Sequence, residues 1–410
     1  LGDLAGYLYS WNTVGSLVGA LVGGYALFFW LDLDQIYLVS AAALMAAAVI
    51  LSVRAYGWPQ WSMALVLPLW LLLLALPGWS PDVMAVGFVR HREPKPHVYA
   101  GPDAYLARRA ADNPATSRVI AYTDDPTTSV VVQEWEYPGG GMSRSLVTDG
   151  KGDGDTKTSY TNYALLAALP ALFAEKVERA FVVGWGIGVT AGELASFDSV
   201  ERVDVAEISS GVLEFAPLFD FANMEASRNP KIHVLRSDAY RALMRTDGTY
   251  DVIVSQPSHV WVSGVEMLFS RDFLAAARSK LSPGGVFCQW LQGYEIGDEA
   301  VEIVLRTYAS VFDTVAVWHT SAKTLVLLGF DQPRWASDPF RLAEQYQRPD
   351  FKATLARAGV DSFAALLAHE LLPAGVLGAL EIDAPVHTLY HPRLNEVASH
   401  GFFRGETGWL

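Results

Sequence analysis

From Arg179 onward the chain repeats one rhythm: a short apolar run, a turn, then an amphipathic stretch. "RAFVVGWGIG" enters a glycine turn ahead of "VTAGELASF", and "RVDVAEIS" ends in an acid ahead of "SGVLEFAPLF". "KIHVLRSDAY", "YDVIVSQPS" and "GGVFCQWLQ" supply three more runs of the same kind. Val252-Ile253-Val254 is apolar at every position, so a strand there has no face to offer water. Such strands, alternating with helices, predict an α/β chain with a doubly wound, mainly parallel, Rossmann-like sheet covered on both sides. "TVAVWHTSAKTLVLLGF" is suited to a closing hairpin, and no internal repeat is evident.

The residues ahead of this domain obey a different rule. Residues 8–31, 36–53 and 61–76 are almost free of charge. Each reaches or nearly reaches the length needed to cross a hydrocarbon core of ~30 Å at ~1.5 Å per residue. The third is the shortest and carries Pro68. No basic segment precedes the first, which argues against a signal peptide. Residues 1–80 are therefore expected to form a transmembrane region of about three helices, integral to the inner membrane. Arg90, Arg92 and Lys95 follow the third run while Arg54 alone separates the second and third, which favours a cytoplasmic soluble part. The chain opens on Leu rather than Met, which leaves further spans ahead of it open. Gly15, Gly19 and Gly23 recur four apart, a spacing that lets helix backbones approach. That contact could lie within the chain or with a second copy, so a homodimer is a possible partner.

Residues 81–165 read as a linker, "HREPKPHVYAGPD", followed by a small β domain. "SRVIAYTDD", "TTSVVVQEWEYP" and "SRSLVTDG" alternate apolar and polar residues, as an antiparallel unit of about four strands would. "SYTNYALLAALPALFA" reads as a helix leading into the main domain, residues 166–332. Residues 333–410 form a helical extension ending in a loop-like tail, "HTLYHPRLNEVASHGFFRGE", expected to fold back over the domain. A net charge of −14 argues against binding nucleic acid by neutralising phosphates. The single cysteine, Cys288, excludes an intrachain disulfide and a multi-cysteine metal site. "TDGKGDGD" lacks the closing glutamate of a calcium loop, and His387, His391 and His400 share no helical face, so no metal is expected.

Gly184, Gly186 and Gly188 fall between a strand and a helix, where glycine lets the backbone turn tightly and approach a ligand. Glu207 ends the next strand, placed to accept both hydroxyls of a ribose. Asp238 ends the third, suited to an adenine amino group. Together they describe a nucleoside pocket. The spacing is G-x-G-x-G rather than the dinucleotide G-x-G-x-x-G, and the remaining strands suit one nucleoside.

"LVTDGK", "VVGWGIGVTAGEL", "RVDVAEIS", "RSDAYRAL", "YDVIVSQPSHVW" and "LSPGGVFCQWLQ" follow one another in the order seen in spermidine synthases. The chain resembles in particular the bacterial membrane-bound branch of that family. The resemblance implies decarboxylated S-adenosylmethionine, or S-adenosylmethionine itself, as cosubstrate, and a small amine as acceptor. It implies that Gly184, Gly186, Gly188, Glu207, Ile208, Asp238, Ala239 and Gln289 hold the nucleoside. The departures concern the amine. Two aspartates that the family places on the strand-end loop are here Ser255 and Ser258, and Asp153, Thr158-Ser159 and Asn162-Tyr163-Ala164 replace its other polar anchors.

An ammonium must lose a proton before it attacks, and a serine cannot take one unaided. His259 is a candidate base, since imidazole titrates near ~6.5. Asp149, Asp153 and Asp155 could supply carboxylates. Ser255, His259 and Asp153 are thus the expected catalytic set, with Asp149, Tyr160, Tyr163, Gln256 and Ser258 expected around the acceptor. The expected function is a membrane-bound, spermidine-synthase-like transferase that aminopropylates an acceptor other than putrescine. Methyl transfer, intramolecular cleavage of the sulfonium and non-catalytic nucleoside sensing stay open as alternatives.

Overall fold

The computed structural model describes residues 2–56, 68–73, 75–76, 78–87, 96–112, 116–321, 323–330 and 338–408. Two long helices open it, α1 (Gly2–Gly23) and α2 (Leu33–Tyr56), both apolar and largely exposed. Each is long and apolar enough to cross a membrane. Half of the third apolar run, residues 61–76, falls outside the described residues. An added Cβ at Gly15, Gly19 or Gly23 would meet no atom within 4 Å, so no described part of the chain covers that face. A further helix, α3 (Pro102–Asp112), occupies what reads in sequence as the end of a linker. Pro102 suits a first-turn position, where its missing N–H is no loss.

The small β unit is a meander of β1 (Thr116–Asp124), β2 (Ser129–Glu136), β3 (Met142–Thr148) and β4 (Lys151–Asp155), all antiparallel. The helix α4 (Tyr160–Phe173) follows and is buried from Tyr163 to its end. It is apolar on every side because it lies between the sheet and the C-terminal helices, and so shows no amphipathic stripe.

The main sheet takes the order β12-β10-β11-β9-β8-β5-β6-β7. Its strands are β5 (Arg179–Val183), β6 (Arg202–Glu207), β7 (Ile232–Arg236), β8 (Tyr250–Ser255), β9 (Leu281–Gln292), β10 (Thr314–Ser321), β11 (Thr324–Phe330) and β12 (Glu370–Leu372). From β7 to β9 all pairs are parallel, and the hairpin β10–β11 adds antiparallel strands beyond β9. Strands on both sides are full. Val252 and Val254 pack into the core under α4, while Ile253 packs into the opposite core with Phe273 and Phe287. The order reverses at β5, which pairs with β6 on one side and β8 on the other. A crevice opens at the carboxyl ends of strands at such a point.

The C-terminal tail folds back on this edge: Gly408 donates to the Gly293 carbonyl at 2.9 Å. Part of the stretch read as loop-like is a helix, residues 394–404, the correction coming from Leu394, Ala398 and Phe402. These stand one turn apart and are buried, which is the stripe a helix needs to dock. His387 is buried as well, its backbone N–H bonded to the Thr307 hydroxyl at 3.0 Å and its Nε2 2.9 Å from the Glu266 carbonyl. Burial holds its pKa below the usual imidazole value.

Candidate active site

A cavity of about 990 Å³ opens at the carboxyl ends of β5, β6 and β8, bounded on its other side by the β unit. Gly184 and Gly186 line it at φ 85° and 56°, left-handed values that favour glycine. The backbone N–H of Trp185, between them, donates to Glu207 Oε2 at 2.8 Å, and the N–H of Ser209 donates to Oε1 at the same distance. Burial pushes the Glu207 carboxyl up, against those two bonds and one from Ile208. Glu207 and Ile208 both line the cavity, as do Asp238 and Ala239. Asp238 also caps the helix that begins at Ala239, accepting the Arg241 N–H at 2.9 Å. Gln256 lies across the glycine turn, with its Oε1 accepting the Thr190 hydroxyl at 2.7 Å.

The other end of the cavity is built by β4 and the loop after β8. Asp153 accepts from the Ser258 hydroxyl at 3.0 Å and from the hydroxyl of Thr148, and pairs with the Lys151 ammonium. Its backbone carbonyl receives the Tyr163 hydroxyl at 2.8 Å. Lys151 is itself buried, with Nζ 3.0 Å from His259 Nδ1. An ammonium can only donate, so Nδ1 is an acceptor and the imidazole proton resides on Nε2. Nε2 stands 2.9 Å from the Tyr294 hydroxyl. Trp261, Trp290 and Tyr294 surround the imidazole ring with centroids 5.2–5.6 Å away. His259 thus reaches the cavity with both nitrogens engaged.

Among the expected residues, Asp149, Asp153, Tyr163, Gln256, Ser258 and His259 meet at this cavity with Gly184, Gly186, Glu207, Ile208, Asp238 and Ala239. Four do not. Ser255 and Gln289 are fully buried and face each other across the β8–β9 register, the amide donating to the Ser255 hydroxyl at 3.1 Å. Gln289 also donates to the Leu268 carbonyl and accepts from the Tyr308 hydroxyl, so every group on it is spent inside the core. Gly188 begins the next helix with Asn223 and Trp185 against it. Tyr160 turns away to donate to Glu193 at 2.6 Å. Asp155 lies off the cavity too, accepting the backbone N–H groups of Lys157 and Thr158.

Sequence reasoning passed over two groups. Lys151 reads as one more charge in a turn. Asp125, at the β1–β2 turn, is buried and accepts from the Ser209 hydroxyl at 2.6 Å and the Gly211 N–H at 3.1 Å. Burial alone would raise its carboxyl, but bonds from Ser209, Thr127 and Gly211 outweigh it and hold the group below the usual range. Among the described residues no group of three or more His, Cys, Asp or Glu is placed to hold a metal ion.

Residues 160–328 match the spermine/spermidine synthase domain. Residues 160–328 are thus a domain of the spermidine synthase family. It is similar to a polyamine aminopropyltransferase of Synechococcus, 28% identical over 240 residues, covering 55% of this chain and 72% of that one. It is also similar to spermidine synthase 2 of Arabidopsis thaliana, 25% identical over 150 residues, covering 36% and 44%. A third relative is putrescine N-methyltransferase 1 of Nicotiana tabacum, 25% identical over 150 residues, covering 36% and 40%. The chain thus spans less than half the length of the two plant enzymes. Among solved structures, a spermidine synthase in complex with the transition state analogue AdoDATO aligns at TM-score 0.45 and 19% identity, covering 58% of this chain and 88% of that one.

Proposed function

We propose that this spermidine synthase relative transfers an alkyl group, an aminopropyl in the simplest case, from an S-adenosyl sulfonium nucleoside to an amine other than putrescine. The carrying observation is that one cavity joins the glycine turn, Glu207 and Asp238 to the Asp153–Ser258–His259 end. The Glu207 carboxylate is fixed by two backbone N–H groups and offers its outer lone pairs to a ribose diol. The amine lone pair attacks the carbon next to sulfur, and that carbon–sulfur bond breaks with its electrons passing to sulfur. The leaving group is neutral methylthioadenosine, so the residues mainly align carbon and nitrogen and receive one proton. His259 offers that proton no lone pair, since Nδ1 faces the Lys151 ammonium and Nε2 carries hydrogen. Asp153, held by Ser258 at the cavity wall, is the proton acceptor in this scheme. The two apolar helices serve as the membrane anchor, with the soluble part cytoplasmic, where the nucleoside is made.

Methyl transfer from intact S-adenosylmethionine is the second reading, supported by the N-methyltransferase among the relatives. One experiment separates them. The purified full-length protein is given decarboxylated or intact S-adenosylmethionine, with and without an amine panel, and the nucleoside products are read by mass spectrometry. Amine-dependent methylthioadenosine supports aminopropyl transfer. S-adenosylhomocysteine supports methyl transfer. Methylthioadenosine from the intact cosubstrate without an amine means intramolecular displacement. Nucleoside binding without turnover refutes transfer to that panel and turns the domain into a sensor.

A further inference from the structure

Resting on that transfer reading, we infer that the acceptor is a zwitterion: a primary amine that also carries a carboxylate or phosphate. A diamine dication needs uncompensated negative charge at the acceptor end. Here the carboxylate beside the reacting position, Asp153, is already neutralised by Lys151 from behind the cavity wall. The lysine is committed to that place. It is buried, and its Nζ is also within 3.0 Å of His259 Nδ1. The lysine therefore acts through Asp153 and His259 as a positioning residue.

The rest of the wall balances. Among the described residues lining this end, Asp149 is the other carboxylate, exposed and accepting the Ser129 N–H at 2.9 Å. Lys323 is a cation on the same cavity surface, exposed on the β10–β11 hairpin beside Thr324 and Ser321. Among the described residues, the charges at this end, Asp149, Asp153 and Lys323 with the buried Lys151 behind the wall, sum to zero. Such a site holds a ligand with one charge of each sign better than one with two positive charges. The amine belongs at Asp153 and Ser258, where the proton is received, and the anion at Lys323 with the two hydroxyls.

The test is equilibrium binding to the full chain saturated with methylthioadenosine, so that it does not depend on turnover. Phosphoethanolamine, β-alanine and putrescine are titrated by calorimetry, and vesicles with and without phosphatidylethanolamine are compared by flotation. The expected result is at least tenfold tighter binding of a zwitterion than of putrescine. Binding to free phosphoethanolamine or β-alanine identifies a soluble source. Binding only to phosphatidylethanolamine vesicles identifies a lipid source. Lys323→Ala should weaken the zwitterion at least fivefold and leave methylthioadenosine within twofold. Lys151→Met should reverse the preference toward putrescine, and Lys151→Arg should restore it, a pattern that mere loss of folding would not produce. Tighter putrescine binding in the native protein, binding of neither zwitterion in either form, or an unchanged preference in Lys151→Met overturns the inference. A zwitterion that binds while neither nucleoside is consumed refutes the transfer reading and leaves only the zwitterion preference of the site standing.

Discussion

Asp125→Asn isolates the connection between the β unit and the nucleoside acid. Oδ1 accepts the N–H groups of Thr127 at 2.7 Å and Thr128 at 3.1 Å, closing the β1–β2 turn. Oδ2 accepts the Ser209 hydroxyl and the Gly211 N–H. An amide can keep the turn only by aiming its NH₂ at Ser209 and Gly211. The serine hydroxyl can rotate to accept, but the Gly211 N–H meets another donor. A bond to a charged group contributes ~1.5–3 kcal/mol, so the loss at Gly211 is about 2 kcal/mol. Ser209 donates its own N–H to Glu207, and the loss therefore falls on the loop that fixes the ribose carboxylate. Expressed fully in affinity, 2 kcal/mol is about thirtyfold. Calorimetric titration of methylthioadenosine into native and variant protein measures it, with thermal unfolding as control. Binding within twofold of native at an unchanged Tm would refute the coupling. Acid should mimic the variant: the folded carboxyl of Asp125 sits below its unfolded value, so its contribution is present above the unfolded pKa and lost as pH falls through the folded one.

Glu207 makes the opposite prediction. Burial raises its folded pKa, so its contribution to stability is complete below the unfolded value and is lost as pH rises through the folded one. Nucleoside binding needs the ionised form and should weaken on acidification at a higher pH than an ordinary glutamate, near ~4.3, would cause; affinity flat down to that value refutes it. Gly150→Ala should lower stability by about 2–5 kcal/mol in denaturant unfolding, since φ is 73° and the new Cβ would sit 2.5 Å from Gly87 Cα, backbone that cannot yield. An unchanged midpoint would show that the two backbones do not meet. Ser255→Asp, which restores a family carboxylate, should lower Tm sharply and leave putrescine unused, because residue 255 is fully buried against Gln289. Putrescine-dependent turnover in that variant would place the side chain in the cavity instead.

Much of this was legible because burial on both faces leaves a mark at every residue. Val252-Ile253-Val254 is apolar throughout since each face of β8 carries its own core, and no other arrangement of a soluble strand demands that. The glycine turn and Glu207 were legible for a local reason: a strand end, a left-handed backbone and the next strand's terminal acid are adjacent by topology. The acceptor end was not. Lys151, Lys323 and Tyr294 come from β4, the β10–β11 hairpin and the residues after β9, and no spacing rule links them. Ser255 and Gln289 carry a subtler lesson. A family position fixes where a residue lies along a strand, but a serine there can turn into the core once a buried amide stands opposite it. Lys151 was passed over because lysines in Gly-Asp turns are ordinarily solvated, and only the packing of β4 against the loop after β8 buries this one.

Asp124 and Asp125, adjacent in sequence, face opposite tasks. Asp124 accepts the N–H of Leu33 at 2.8 Å, where α2 begins, and gives its own N–H to Asp32 at 3.1 Å, in the turn just before it. Asp125 grips Ser209 and Gly211 at the nucleoside loop. Thr127 and Thr128, which follow directly, line the cavity. A second strap runs beside the first: Gly87 meets the Gly150 backbone at the turn that presents Asp149 and Lys151. Residues ahead of the β unit, Asp32 and Leu33 at one point and Gly87 at the other, therefore touch it at both turns that wall the cavity. An anchor alone would need neither contact. The Asp124 contact places the cavity rim close to the junction of the apolar helices, which is the arrangement an enzyme needs if its amine is presented by a lipid head group.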